Sequence, residues 1–434
     1  MSETVSALTR ACPQCTAPIA VDPRFTDWCP ACEWNLAPAP TPGAPRRGER
    51  ARSRDRARVE RLYAVLAARP AASDRHRSAA WAAAMLLATL VHLSTLAVLA
   101  GSLRLVLTGS TGLRVLGVLG LGVTWLLRPR FGRWSAHDPA ELTREQAPVL
   151  HGVVDQVARA LGTRGPDRIR VNGLYNASYG PVGPHRRVRL TLGLPLWTAL
   201  TTDERLALLG HELGHGRNGD ARRGLWLDLA SRTLVAWYLL LTPGRGDAFL
   251  VRSSRTAASD RIAALLLGLL AQPVRLLVFV LARLTERSSQ QAEYLADERA
   301  AVVASSAAAG GMLTKLMLGD SARARIQQQR TTAQRGGRAG RQETGPEQVE
   351  AFWTGLREYL ESVPPAERER RSRLSAREMS AVDTEHPPSH LRVRMRAERP
   401  ERSAAVRVDA AQWLAIEAEL APARQRVGRL LLGR

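Results

Sequence analysis

One stretch of this chain is long and apolar enough to cross a lipid bilayer. Residues Ser78–Leu103 form a run of 26 positions without a formal charge. A helix needs about 20 apolar residues to span the hydrocarbon core. A buried helix of a soluble protein rarely stays apolar on every face for that length. We therefore expect a transmembrane helix here, and its distance from Met1 argues against a cleaved signal peptide.

Three further apolar stretches follow. The first, Leu105–Leu127, should complete a helical hairpin with Ser78–Leu103. The second, Gly224–Thr242, contains Asp228 and Arg232, which are four residues apart and can pair on one helical face. The third, Ile262–Leu284, contains two arginines and a proline. Because a charge at mid-bilayer costs about 2.5–3.5 kcal/mol, the last two stretches could either span the membrane or lie in its interface.

Arginine accounts for nearly all of the positive charge. The chain carries 62 Lys+Arg against 40 Asp+Glu, a net charge of +22, yet Lys315 is its single lysine. Eleven arginines lie in residues 46–77, directly before the first hairpin, and three more follow it. The positive-inside rule then places both flanks of the hairpin in the cytoplasm. Without interleaved aromatic residues, the charge alone predicts no specific nucleic-acid partner.

The four cysteines form two CxxC pairs near the N-terminus. Cys12 and Cys15 are separated from Cys29 and Cys32 by thirteen residues. Two such pairs can place four thiolates around one tetrahedral zinc ion, and a reducing cytoplasm disfavours disulfides. We predict a structural zinc ribbon that could bind a protein partner. Because it lies far from the other motifs, we expect it to be dispensable for any catalytic activity.

A second metal motif lies in the middle of the chain. Thr201 and Glu204 form a capping-box pattern, which predicts a helix start. On that helix His211 and His215 are four apart and project from the same side, so both can bind one zinc ion. Glu212 would then accept a proton from water as a general base.

A possible third ligand lies 78 residues after His215. Glu293 and Asp297 are spaced i,i+4 on a predicted helix. A catalytic zinc takes three protein ligands and keeps one open position. Glu293 can be that third ligand, and Asp297 can orient a ligand histidine. Without the histidine motif, the simpler interpretation of Glu293 and Asp297 would be a solvent-exposed acidic face of the helix.

Together these motifs resemble the HtpX-like membrane zinc metalloproteases, relatives of the CAAX prenyl endopeptidases. The order of transmembrane hairpin, HELGH helix, hydrophobic hairpin and Glu-x-x-x-Asp is similar to that family over residues 78–320 and 380–400. The resemblance implies that His211, His215 and Glu293 bind one catalytic zinc and that Glu212 is the base. It also implies a multi-pass protein in the lipid bilayer of the plasma membrane that cleaves protein or peptide substrates. Since the positive-inside rule places the flanks of the hairpin in the cytoplasm, we expect this cleavage at the cytoplasmic face.

The resemblance extends to two further segments. Asn176, Ala177 and Ser178 are similar to a strand beside the family's cleft, which implies an edge for an extended substrate. His386 and Arg392, in the sequence His-Pro-Pro-Ser-His-Leu-Arg, are similar to a His-Pro plus Arg motif. The resemblance implies a catalytic role for His386 and a supporting role for Arg392 beside the metal ligands. An ordinary Pro-Pro helix start would explain the same residues.

The expected fold is mostly α. It is an integral membrane helical protein with a zincin-type α+β metallopeptidase domain, built from a small edge sheet and the HExxH helix, and with a small N-terminal ribbon. The expected segments are a zinc ribbon (1–36), a basic linker (37–77), a transmembrane hairpin (78–128), the first part of the peptidase (129–222), a hydrophobic hairpin (223–285), the second part of the peptidase (286–320), a flexible insertion (321–347) and a C-terminal helical part (348–434).

The sequence is compatible with two alternative functions. One is a catalytically silent membrane adaptor that keeps the protease fold as a scaffold. The other is a processing protease dedicated to one substrate, such as a lipidated peptide. The intact zinc and base motifs speak against the scaffold, and the sequence does not distinguish a dedicated protease from a general one.

Overall fold

A computed structural model describes residues 8–37, 49–68, 79–127, 138–183, 187–217, 220–242, 258–337, 345–378 and 387–433. The described part is mostly helical with two small sheets, as expected from the sequence. The N-terminal ribbon is a two-stranded antiparallel sheet of β1 (Leu8–Ala11) and β2 (Pro18–Val21).

Four helices form an apolar bundle. They are α2 (Ala79–Thr108), α3 (Thr111–Leu127), α7 (Asp220–Leu241) and the first half of α8 (Ala258–Ala304). Small residues such as Ala84 and Ala88 of α2 let α7 and α8 approach closely. Many large apolar side chains face outwards. Among the described helices, α2 and the Leu265–Ala304 part of α8 are long and apolar enough to cross a membrane.

The predicted pair on α7 forms. Arg232 Nε lies 2.9 Å from Asp228 Oδ2, and both side chains are exposed rather than turned into the bundle. The boundary expected between residues 285 and 286 instead falls inside α8. No glycine or proline follows Pro273 before Ala304, so nothing in the sequence ends the helix between the apolar stretch and Glu293.

A four-stranded sheet forms one wall of the remaining domain. Its order is β3 (Glu141–Leu142), β4 (Arg168–Asn172), β6 (Arg187–Gly193) and β5 (Ala177–Val182). Strands β4 and β6 are parallel, whereas β5 pairs antiparallel with β6 and forms an edge of the sheet. Helices α4 (Pro148–Leu161), α5 (Leu194–Ala199), α6 (Thr202–Arg217) and α9 (Ser306–Leu316) share its apolar core.

The C-terminal part adds four helices around this core. They are α11 (Pro346–Glu361), α12 (Pro365–Glu378), α13 (Ser389–Ala397) and α14 (Ala410–Leu432). Trp353 of α11 is fully buried, and its indole N–H donates to the Arg424 carbonyl of α14 at 3.1 Å.

The expected linker at 37–77 is in part a helix. Helix α1 (Glu49–Ala67) carries Val59, Leu62, Tyr63 and Leu66 at helical spacing. This apolar stripe packs against Tyr294, Leu391 and Met395 of the core domain, which explains why an Arg-rich segment is ordered.

The expected flexible insertion at 321–347 is also in part a helix. Helix α10 spans Gly319–Gly337. Ala322 is buried and Ile326 and Ala333 pack against the main core, while the Gln329 side-chain amide donates to the Phe352 carbonyl at 3.2 Å. A narrow stripe of contacts therefore orders a segment whose overall composition is too polar to form a core.

Candidate active site

Helix α6 begins with the predicted capping box. The Thr201 backbone N–H donates to Glu204 Oε2 at 2.8 Å, and the Glu204 backbone N–H donates to Thr201 Oγ1 at 3.4 Å. The Lys315 ammonium also donates to Glu204 Oε2, at 2.6 Å. The first turn of the HELGH helix is thus tied to α9, which fixes the direction in which its histidines project.

Two glycines bring α6 unusually close to α8. A Cβ atom on Gly210 would lie 2.9 Å from Val303 Cβ and 3.1 Å from Ala300 Cα, and one on Gly214 would lie 3.3 Å from Ala296 Cα. Small residues at these contacts let the two backbones approach, so that Glu293 reaches the histidines. Sequence reasoning missed this feature, although the spacing of Gly210 and Gly214 by four residues is a signal for it.

The predicted ligands converge on one point. His211 Nε2 lies 3.3 Å from His215 Nε2. Glu293 places Oε2 at 3.6 Å from His211 Nε2 and Oε1 at 3.5 Å from His215 Nε2. Tetrahedral zinc ligands at about 2.0–2.1 Å from the metal lie about 3.3–3.4 Å apart. Two imidazoles and one carboxylate at these separations therefore fit a zinc ion with one open position.

The cluster is more open on one side. The side chain of His215 is 26% exposed, whereas those of His211 and Glu293 are 4% and 8% exposed. A water molecule or a peptide can therefore approach from the side of His215.

Asp297 and Arg392 lie behind His211. The Asp297 Oδ1 atom is 3.0 Å from His211 Nδ1. Arg392 donates to both carboxylate oxygens of Asp297, from Nε at 2.8 Å and from Nη2 at 2.6 Å. The guanidinium also comes within 3.5 Å of His211 Nδ1. Because the carboxylate contact is shorter, it fixes the proton of His211 on Nδ1 and leaves the Nε2 lone pair for the metal.

Charge pairing stabilises this buried network. Burial raises the pKa of Asp297, but the Arg392 guanidinium outweighs it and holds this pKa below its usual range. Burial lowers the pKa of Arg392, but the charges of Asp297, Glu293 and Glu212 outweigh it and raise this pKa. Arg392 therefore stays protonated and Asp297 ionised. Glu212 is itself buried and lies within electrostatic reach of Arg392.

The predicted substrate strand lies beside this centre. Ala177 and Ser178 begin β5, and Asn176 directly precedes it and accepts the Gly193 N–H through its carbonyl at 2.9 Å. In the same strand, Tyr179 packs on Gly216, where a Cβ would lie 2.7 Å from the ring. An edge strand is thus held against the end of the HELGH helix, next to His215.

His386 lies outside the described residues, so its predicted catalytic role stays a prediction. Arg392, which the same motif contains, lies on α13 and reaches the network as described above. A second arginine, Arg396, pairs with Glu298 on α8 at 2.6 Å, one turn along α13. The two arginine–carboxylate pairs fix α13 against α8.

The four cysteines also converge. Cys12 Sγ lies 3.7 Å from Cys32 Sγ, and Cys15 Sγ lies 3.5 Å from Cys29 Sγ. Thiolates around a tetrahedral zinc at about 2.3 Å lie about 3.8 Å apart, whereas disulfide sulfurs lie about 2.05 Å apart. The donor set therefore fits a metal ion better than disulfides.

Comparison with known proteins agrees with this geometry. Residues 144–397, more than half of the chain, match Peptidase family M48. Over 109 residues the chain is 35% identical to Protease HtpX homolog 1 of Sulfurisphaera tokodaii. The aligned segment covers 24% of this chain and 34% of that protein, so the chain matches about a third of the length of this curated relative. No solved structure matches this chain. The chain belongs to peptidase family M48.

Proposed function

We propose that this protein is a membrane-embedded zinc endopeptidase that hydrolyses peptide bonds of membrane or misfolded proteins at the cytoplasmic face. The observation that carries the proposal is the convergence of His211, His215 and Glu293 at zinc-ligand separations, open on one side, with Glu212 next to His211.

His211, His215 and Glu293 would hold the catalytic zinc. A zinc ion held by these residues would supply Lewis acidity at the open position and make a water there more acidic. Glu212 accepts a proton from the attacking water and then donates it to the leaving amine. Asp297 keeps His211 in one tautomer, and Arg392 keeps Asp297 ionised and oriented.

Strand β5 would bind the substrate. An extended peptide can add to this edge by main-chain hydrogen bonds, so that side-chain identity matters less than an unfolded backbone. This mode of binding favours misfolded segments, which expose such backbone.

The position of the site along α8 relates it to the membrane. Glu293 lies nine positions after Leu284, the last residue of the apolar stretch. At a helical rise of 1.5 Å per residue, this is about 14 Å. If the apolar half of α8 spans the bilayer, the metal ligands lie just beyond its surface, where loops and ends of membrane proteins are within reach.

We propose a multi-pass topology in the plasma membrane with both the N-terminus and the catalytic domain in the cytoplasm. Cysteines placed singly at Gly48 and Thr332 should be shielded from an impermeant thiol reagent in intact cells, and one at Ser110 should be labelled. The parent chain gives the background from its own four cysteines. Labelling at 332 with protection at 48 would contradict this orientation.

The proposed activity is tested by capturing substrates. Membranes from cells that contain the wild type or Glu212→Gln are compared by proteomics. We expect several unrelated membrane proteins to accumulate or to copurify with the variant. A single accumulated protein would indicate the dedicated processing protease, and an unchanged proteome, together with no cleavage by the purified wild type, would indicate the silent scaffold.

A further inference from the structure

The ribbon docks on the catalytic domain through residues that flank a cysteine. The Trp28 indole N–H donates to the Ala366 carbonyl of α12 at 3.1 Å. The Arg373 guanidinium of α12 lies over the Trp28 ring, 5.3 Å from its centroid, and donates to the Pro30 carbonyl at 2.6 Å. Trp28 and Pro30 stand on either side of the buried Cys29, so the docking surface depends on the fold around the four cysteines.

Other contacts extend the same interface. Arg370 of α12 is buried and donates to the Leu36 carbonyl at 3.0 Å. Arg24 of the ribbon donates to the Ser362 hydroxyl at 2.7 Å, just before α12. The ribbon therefore uses Trp28 and Arg24 to contact α12 and Ser362 of its own chain. A ribbon that binds another protein would use such side chains to contact that partner.

Helix α12 in turn contacts α13, which carries Arg392. The buried Ser375 of α12 places its hydroxyl 3.4 Å from His390 Nδ1 of α13. His390 is two residues from Arg392, whose guanidinium holds Asp297 and, through it, His211. A continuous series of contacts thus joins the cysteine cluster to a metal-binding histidine.

Helix α1 packs on α13 from another direction. The Tyr63 hydroxyl donates to Glu398 at 2.6 Å, and its ring meets Tyr294 edge-on with centroids 6.2 Å apart. Tyr294 is adjacent to Glu293, and Leu391 in the same cluster is adjacent to Arg392. Helix α1 therefore contacts both elements that complete the active site, while the ribbon contacts α12, which packs on α13. The ribbon and α1 together are here called the N-terminal arm.

We propose that the N-terminal arm is a positioning module for the catalytic centre and that metal binding by Cys12, Cys15, Cys29 and Cys32 maintains it. The ribbon's own core consists of Cys12, Ile19 and Cys29 with a few partly buried neighbours. Such a core is too small to fold without its metal. Loss of that metal releases Trp28 and Pro30 from α12, loosens α13 and weakens the hold of Arg392 on Asp297. The sequence alone suggested instead that the ribbon is dispensable.

The proposal rests on the proposed function, and it is tested on the full chain in detergent with three measurements. These are bound zinc, kcat and KM on an unfolded reporter protein, and hydrogen exchange of peptides that cover α13. Cys12→Ser combined with Cys15→Ser should lower bound zinc from two ions to one and raise exchange in α13. It should also lower kcat by about 10-fold, the low end for losing an outer partner of a metal ligand, with little change in KM.

Two variants of α12 separate docking from metal binding. Arg373→Ala should keep both zinc ions yet raise exchange in α13 and lower kcat, and Arg373→Lys, which keeps a donor for Pro30, should restore much of the loss. Arg377→Ala, an exposed arginine on the same helix, is the matched control and should behave as the wild type.

Wild-type exchange and kcat in both the cysteine variant and Arg373→Ala would overturn the proposal. If the cysteine variant aggregates, exchange in α13 and kcat of Arg373→Ala decide the outcome, and wild-type values for this variant would overturn the proposal. If the wild type cleaves nothing, the proposed function fails, while the exchange in α13 still tests the positioning module separately.

Discussion

Asp297 of α8 contacts His211 of α6 at 3.0 Å, from Oδ1 to Nδ1. This contact links the two helices that carry all three proposed metal ligands, and it lies on the side of the imidazole opposite to the proposed metal position. It favours the tautomer of His211 that leaves Nε2 free to bind a metal, so the network behind the histidine supports the proposed ligands.

Asp297→Asn should weaken zinc binding without abolishing it. The amide keeps the size of the side chain but removes the charge that holds the proton of His211 on Nδ1. We expect zinc affinity or kcat to fall by about 10–100-fold, measured by zinc retention against a chelator and by cleavage of an unfolded reporter. Asp320→Asn, at an exposed carboxylate of α10, is the matched control and should leave zinc retention and kcat at the wild-type level.

Glu293→Gln should affect metal and activity together. A neutral amide is a poor zinc ligand compared with a carboxylate, so bound zinc at this site and peptidase activity should fall in parallel. The ribbon zinc should remain, and total metal should approach one ion per chain. Full zinc content with full activity would place the third ligand elsewhere.

Gly210→Ala should destabilise the protein. The added methyl would lie 2.9 Å from Val303 Cβ and 3.1 Å from Ala300 Cα, which forces α6 and α8 apart. Overpacking of this kind costs about 1–3 kcal/mol of stability. Gly152→Ala in α4 meets nothing within 4 Å, so this control should stabilise by about 0.5–1 kcal/mol. Thermal unfolding in detergent measures both, and equal effects would contradict the close packing.

Much of the site was predictable because its signals are local. The capping box of Thr201 and Glu204, the i,i+4 histidines and the i,i+4 acidic pair each depend on residues within one or two helical turns. If the histidine pair and the acidic pair each lie on a helix, their side chains can bind one metal ion. The zinc and base roles of these residues remain predictions that the variants above test.

The parts that sequence reasoning missed depend on distant partners. The sequence predicts a linker at helix α1 because six arginines obscure the stripe at Val59, Leu62, Tyr63 and Leu66, whose partner Tyr294 lies far along the chain. The sequence predicts a flexible insertion at helix α10 because its contacts with α11 and α14 are not visible in its composition. The change from apolar to charged residues along α8 predicts a domain boundary, although the helix is continuous.

His390→Gln should reduce the acid sensitivity of the fold. Burial, with Arg56 and Arg394 nearby, lowers the pKa of His390 from 6.5 to about 4 in the folded state. The unfolded chain therefore binds this proton first, so wild-type stability falls as the pH drops from about 6.5 toward 4. Thermal midpoints at pH 7.5, 5.5 and 4.5 should decrease less for the variant. Parallel decreases in both proteins would show that His390 does not contribute.

We propose that this chain hydrolyses peptides with Glu212 as the base at a zinc ion held by His211, His215 and Glu293. The most direct measurement compares wild type, Glu212→Gln and the exposed control Glu350→Gln for zinc content and for cleavage of an unfolded reporter in detergent. Glutamine keeps the shape of Glu212 but cannot accept the proton of water. We predict unchanged zinc and a loss of activity of about 10²–10⁴-fold for Glu212→Gln, with wild-type behaviour for the control. Full activity of Glu212→Gln would contradict the mechanism.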